Sequence, residues 1–189
     1  MPPKIRVTKD DIVNAAVELV RQGGAEAINA RAIAVRLGCS TQPVFSNFDT
    51  MDQLLEQVIS ASYDVYLDFL SNEAQSGIYP QYKAFGMAYI RFAKEEKELF
   101  KLLFMRDRGN MEIAPTSDFD ASVELIMKAN GVSMDRARRM HLEMWSLVHG
   151  IATMLATSFT CLDWELISDM LTDVYQGIRN RSGGSNASN

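Results

Sequence analysis

Residues 27–55 read A-I-N-A-R-A-I-A-V-R-L-G-C-S-T-Q-P-V-F-S-N-F-D-T-M-D-Q-L-L, and the fold turns on how this stretch is read. Asn29 is a good N-cap for a helix over residues 30–37, because its side-chain oxygen accepts from orphan backbone N–H groups. Gly38 ends that helix where a left-handed residue is needed. Ser40 is placed to cap the next helix, and Pro43 falls in its first turn, where no intrahelical N–H is required. Ala34 is small enough to let the second helix cross closely, and Val44 is expected to plug the crossing. That combination is the logic of a helix-turn-helix, whose second helix enters the major groove of DNA.

The chain upstream supports the hairpin. Thr8 and Asp11 approximate a capping box, and Ile12, Ala15, Ala16, Leu19 and Val20 recur on one helical face until Gly23-Gly24 stops it. Phe45, Phe48, Leu54 and Leu55 are expected to complete the same small core. Downstream, a helix over residues 51–71 keeps apolar period through Val58, Val65 and Phe69, before Gln75-Ser76-Gly77 and Tyr79-Pro80 break it. Helical segments follow over residues 81–94, 97–105, 118–130, 134–158 and 164–179. Arg106 to Ser117 reads as a polar loop with Gly and Pro. No strand-like alternation appears, so the fold class is all-α: a three-helix hairpin domain over residues 1–50, a second helical domain over 51–181, and a tail over 182–189 expected to be disordered.

Several functions are disfavoured. The chain lacks a G-x-S-x-G elbow, a P-loop and a dinucleotide glycine fingerprint, so no enzyme and no cofactor are expected. His141, His149 and Cys161 lack the ligand spacing of a metal site, and His149 reads as a packed, hydrogen-bonded histidine. Cys39 reads as a packed turn residue rather than a redox sensor. Two cysteines form no framework and the N-terminus carries no apolar leader, so the cytoplasm is the expected compartment, with no membrane partner. Of 19 basic and 24 acidic residues, six and five fall within residues 1–50 and 13 and 19 beyond, giving +1 and −6. Local placement, not whole-chain charge, must carry DNA binding.

The run S-T-Q-P-V-F-S-N-F resembles the segment of TetR-type (tetracycline-repressor-like) regulators in which the recognition helix is followed by aromatic-x-polar-Phe. Such proteins usually have Tyr at the position of Phe45 and often His at that of Asn47. The phrase Y-I-R-F-A-K-E-E-K-E-L-F-K-L-L-F is similar to a segment of many sensor domains of that family, although the family often has a proline where Glu96-Lys97 stands here. W-S-L-V-H-G-I resembles the Trp-x-x-x-His-Gly signature of one sensor subgroup. The resemblance implies a ligand-responsive transcriptional regulator, most often a repressor. It would act as a homodimer through its last two long helices and would leave operator DNA when a small hydrophobic or aromatic effector binds.

On that reading Lys4, Arg6, Asn29, Arg31, Ser46 and Asn47 are candidate phosphate contacts. Thr41, Gln42 and Val44 are candidates for base edges, with Val44 alternatively core, and Ser40 and Pro43 complete the DNA-facing set. Gln42 is the best base reader, since its amide pairs bidentately with adenine. The effector candidates are Tyr66, Phe85, Tyr89, Phe92, Phe104, Met127, Met144, Trp145 and His149. Two other readings stand beside this one: a helical small-molecule-binding protein whose hairpin only packs, and a hairpin regulator without ligand, controlled by a protein partner.

Overall fold

A computed structural model describes residues 7–106 and 117–181, and all its regular structure is helical. Nine α-helices are described: α1 (Lys9–Gly23), α2 (Ala30–Leu37), α3 (Gln42–Asn47), α4 (Met51–Ser76), α5 (Gln81–Glu95), α6 (Lys97–Phe104), α7 (Ser117–Asn130), α8 (Met134–Ala156) and α9 (Trp164–Asn180). The expected tail over 182–189 and most of the expected loop before α7 lie outside the described residues. No described helix is long and apolar enough to cross a membrane.

The chain divides into two compact units. The first takes residues through Asp68 together with Glu95–Arg106; the second takes Phe69–Lys94 and the rest of the chain. α4 and α5 each run from one unit into the other.

In the first unit α1 packs on α2, α3 and α6. The Thr8 hydroxyl accepts from Asp11 N, and Thr8 N donates back to the Asp11 carboxylate at 2.9 Å, closing the capping box. Those bonds, the backbone one first, hold the Asp11 carboxyl below its ordinary range. Gly24, at φ 74°, ends α1, and a short 3₁₀ turn over Ala25–Ala27 that the periodicity did not signal leads to α2. α6 is tied to α1 through Arg21, whose guanidinium grips Glu96 in a two-pronged pair at 2.8 and 2.9 Å while also bonding Glu18. Ile12, Ala16, Val20, Ile33, Leu54 and Val58 are fully buried in this unit.

Two of the next three boundaries differ from expectation, and the middle one forms where the sequence places it. α4 continues to Ser76, beyond Ser71; Gln75 Nε2 donates to Ser71 Oγ at 2.9 Å, and Gly77, at φ 67°, makes the stop. The break between α5 and α6 forms without a proline, because Glu96 leaves helical geometry at φ −115°, ψ 54°. α8 ends at Ala156 rather than residue 158. There Phe159 N donates to Met154 O across Ser158, which takes the left-handed conformation usual for glycine.

In the second unit α8 packs against α7 and α9. Gly86 lets α5 approach closely: a Cβ there would lie 3.1 Å from Leu171 of α9 and 3.3 Å from Val148 of α8. Met87, Ile90, Phe92, Ile126, Met140, Ile151 and Ile167 form its fully buried core.

Candidate nucleic-acid interface

The hairpin of α2 and α3 is built as its sequence suggests at one end and differently at the other. Asn29 Oδ1 accepts from Ala32 N at 2.8 Å, and Gly38 closes α2 at φ 64°, ψ 33°. Cys39 N then donates to Ala34 O at 3.0 Å, turning the chain toward α3. Ser40, however, does not cap α3. Thr41 occupies the N-cap with αR dihedrals (φ −73°, ψ −13°) and makes no side-chain cap, because an effective N-cap needs extended backbone. Pro43 stands in the first turn, as its missing N–H allows.

The six residues of α3 divide by face. Val44 is 1 % exposed and sits inside the crossing, which leaves it no surface to offer a base. Phe48, just beyond the helix, is likewise buried. Phe45 was expected in this core but is 60 % exposed: one residue is a rotation of about 100°, so it cannot share the inward face of Val44 and Phe48. Gln42, Phe45 and Ser46, spaced three and four apart, share the solvent side.

The polar groups on this surface differ in what they have to offer. Gln42 is exposed and its amide has no partner among the described residues. Arg31, at the start of α2, is exposed and likewise unpaired, whereas Arg36 is held by Glu18 at 3.3 Å. Ser46 donates its one hydroxyl proton to Gln42 O at 2.9 Å, so meeting a phosphate, which only accepts, requires giving up that bond. Asn47 uses one amide N–H on Pro43 O at 2.8 Å and keeps the second. Asn29 reaches Ala27 O with its amide nitrogen at 3.3 Å. Lys9 was not singled out by its local sequence. Its ammonium lies 5.0 Å from the centre of the Phe48 ring, next to the end of α3, and adds a cation at this surface. Lys4 and Arg6 lie outside the described residues.

The effector candidates fall into two groups. Tyr66 and Phe104 pack edge-on at 5.2 Å in the first unit. In the second, Tyr89 of α5 bonds His149 Nδ1 of α8 at 2.9 Å, and Trp145 stacks on the His149 ring at 5.0 Å and 13°. Phe92 and Met144 are buried, while Phe85 and Met127 are half-buried. A second pair, Tyr82 with His141 Nδ1 at 2.9 Å, joins the same two helices. It is enclosed by Phe119 at 4.6 Å and by Tyr175, whose hydroxyl accepts from Asn130. Burial pulls the His141 imidazole down to about 4 and pushes the Tyr82 phenol up, so both stay neutral near pH 7.

A short helix that turns the Gln42 amide outward, crossed by a capped supporting helix and followed by a helical domain, is the arrangement of a helix-turn-helix DNA-binding regulator. The family model described as "Bacterial regulatory proteins, tetR family" matches residues 12–58, and the one described as "Tetracyclin repressor-like, C-terminal domain" matches residues 82–173. Together they account for most of the chain, which belongs to the TetR family of transcriptional regulators; it is not an enzyme. Solved structures share the fold. A protein of unknown function from Rhodococcus sp. RHA1 superposes with a TM-score of 0.71 at 17 % identity, covering 96 % of this chain and 98 % of its own. A candidate regulatory protein, SCO4313, gives 0.64 at 24 % identity over 88 % and 94 %. A candidate TetR-family regulator from Vibrio parahaemolyticus gives 0.57 at 16 % over 89 % and 97 %. No curated protein matches the chain. Membership implies operator DNA and a second copy of the chain as partners.

Proposed function

We propose that the protein is a repressor that leaves its operator when a small hydrophobic or aromatic effector enters the second domain. The observation that carries the DNA half is the outward face of α3, where the Gln42 amide has no partner among the described residues. Two copies would place their α3 helices in major grooves about 34–36 Å apart, or a multiple of that. Residues 1–50 are taken as the DNA-binding part, 51–181 as the sensor and dimerisation part with α4 as the link, and 182–189 as a tail. The effector half is supported by the aromatic and methionine side chains of the second unit, Phe85, Phe92, Met127 and Met144. A 100-fold loss of operator affinity needs only about 2.7 kcal/mol of differential effector binding between two states.

Pairing is assigned to α8 and α9, where Leu142, Leu166 and Val174 remain 38–44 % exposed. Leu171 would be a poor probe of it, because Leu171 is 2 % exposed and packs inside the unit. Leu166→Asp with Val174→Asp should instead yield a folded monomer that has lost specific DNA binding; a dimer in light scattering would remove this assignment.

The test of the reading as a whole is selection of bound sequences from random DNA, followed by reporter assays on the selected sites. A palindromic site that silences a downstream promoter is the expected result. Absence of any preferred sequence, or activation from the site, would refute the repressor.

A further inference from the structure

Two side-chain oxygens among the described residues are buried without a hydrogen-bond partner: Glu73 Oε1 and Thr153 Oγ1. Both belong to the second unit. Glu73 is 6 % exposed and its other oxygen accepts from Arg91 Nε at 2.9 Å. The Arg91 guanidinium in turn lies over the Trp164 ring, 4.4 Å from its centre. The carboxylate is thus held in place by one oxygen while the other, which only accepts, meets no donor.

Thr153 is unusual within its own helix. A helical hydroxyl normally bonds the carbonyl one turn back. Ser146 does so at 2.9 Å and Thr157 at 2.8 Å, both on or at the end of α8, and Thr172 does so on α9. Thr153 does not, so its hydroxyl is turned away from the nearest acceptor in its own backbone.

The helices that carry the two oxygens are linked to each other through α5. Glu73 is one turn from Phe69 on α4, and Phe69 meets Phe92 of α5 edge-on at 5.4 Å. Tyr89, one turn before Phe92, bonds His149, and Thr153 is one turn beyond His149 on α8. Leaving a buried polar group unmatched is costly, and more so for a charged one, so such a group calls for a bonding partner from outside the chain.

We propose that Glu73 and Thr153 are the polar contacts of the effector, and that the effector is an apolar or aromatic molecule bearing a hydrogen-bond donor, an ammonium or hydroxyl group, rather than a carboxylate. This rests on the effector half of the reading above. Glu73 Oε1 accepts the donor, Thr153 takes a second bond as donor or acceptor, and Phe69 and Phe92 line the apolar body. An anionic headgroup would find an acceptor facing it and Arg91 already engaged.

The test uses three probes with one carbon frame: phenethylamine, phenethyl alcohol and phenylacetate, titrated into the full-length protein by calorimetry and thermal shift. The amine or the alcohol should bind at least ~10-fold more tightly than phenylacetate, a gap worth about 1.4 kcal/mol. An amine that outdoes the alcohol would identify a charged effector; equality would identify a neutral one. Glu73→Gln should erase most of that preference. Thr153→Val should weaken the preferred probe several-fold while leaving the melting temperature equal or higher, since it removes an unmatched hydroxyl. Phenylacetate binding as tightly as the others, an unchanged order in Glu73→Gln, a lower melting temperature in Thr153→Val, or no response to any probe at millimolar concentration would each overturn the assignment. Donor-selective binding that left operator affinity unchanged would uphold the site and refute effector release instead.

Discussion

The two regions treat their polar side chains in opposite ways. In the hairpin, Gln42 and Arg31 face solvent without partners among the described residues, and α3 lacks even a side-chain cap. In the layer between α5 and α8, Tyr82 with His141 and Tyr89 with His149 are mutually bonded. A polar group already bonded inside the fold stabilises it and has little left for a ligand. An idle one on the surface contributes almost nothing to stability and is available for recognition. Substitutions in the first region should therefore act on DNA affinity, and those in the second on stability.

The largest effect is expected where the hairpin itself depends on burial. Val44→Asp places a carboxylate at a site 1 % exposed, and the cost should be about 4 kcal/mol or more. Hydrogen exchange should show α2 and α3 unprotected, and specific DNA binding should vanish; a normally protected hairpin would contradict the packing. Gln42→Ala should cost roughly 1–3 kcal/mol in operator binding and relax preference at one position per half-site, with the melting temperature unchanged. Equal binding to every site by parent and variant would mean that α3 reads through other residues.

The third prediction concerns the layer. His141 is held neutral down to about pH 4 in the fold, whereas an unfolded histidine takes a proton near its ordinary 6.5. Between those values the unfolded chain binds more protons, so stability rises with pH there and is fully present above the upper value. Lowering the pH from 6.5 to 5 should cost ~1 kcal/mol, partial solvent access keeping it below the full linkage value. His141→Gln should flatten that slope in denaturant titrations; an unaltered slope would place the acid sensitivity elsewhere. The smallest effect belongs to Ser46→Ala, within about 0.5 kcal/mol for both stability and DNA affinity, because its hydroxyl proton already serves Gln42 O. A large loss in gel-shift titration would show that Ser46 releases that bond to hold a phosphate.

What could be read in advance follows the range of the interactions. The Thr8–Asp11 box, the Asn29 cap and the Gly38 turn each involve residues within a few positions, and all three form. The start of α3 misled because Ser40 is the better cap by residue type, whereas the helix begins after Thr41, whose backbone is already helical and makes no side-chain cap. Phe45 misled because an apolar residue beside two core positions looks like core, while the short α3 has only one inward face. The two Tyr–His pairs span 59 and 60 positions with no local pattern to announce them. The same holds for Glu73, whose partner Arg91 lies 18 positions away.

Those two pairs also constrain motion. On α5 the tyrosines are seven residues apart, a rotation of about 700° that leaves them within ~20° of one line. On α8 the histidines are eight apart, about 800°, so they point ~80° from each other. The rungs are unequally pitched, like the teeth of a key cut for one lock. Sliding α8 along α5 by any single turn leaves both histidines facing the wrong residue, whereas tilting the helices about one rung strains only the other. Any rearrangement within this unit that keeps its bonds is therefore a pivot and not a piston stroke.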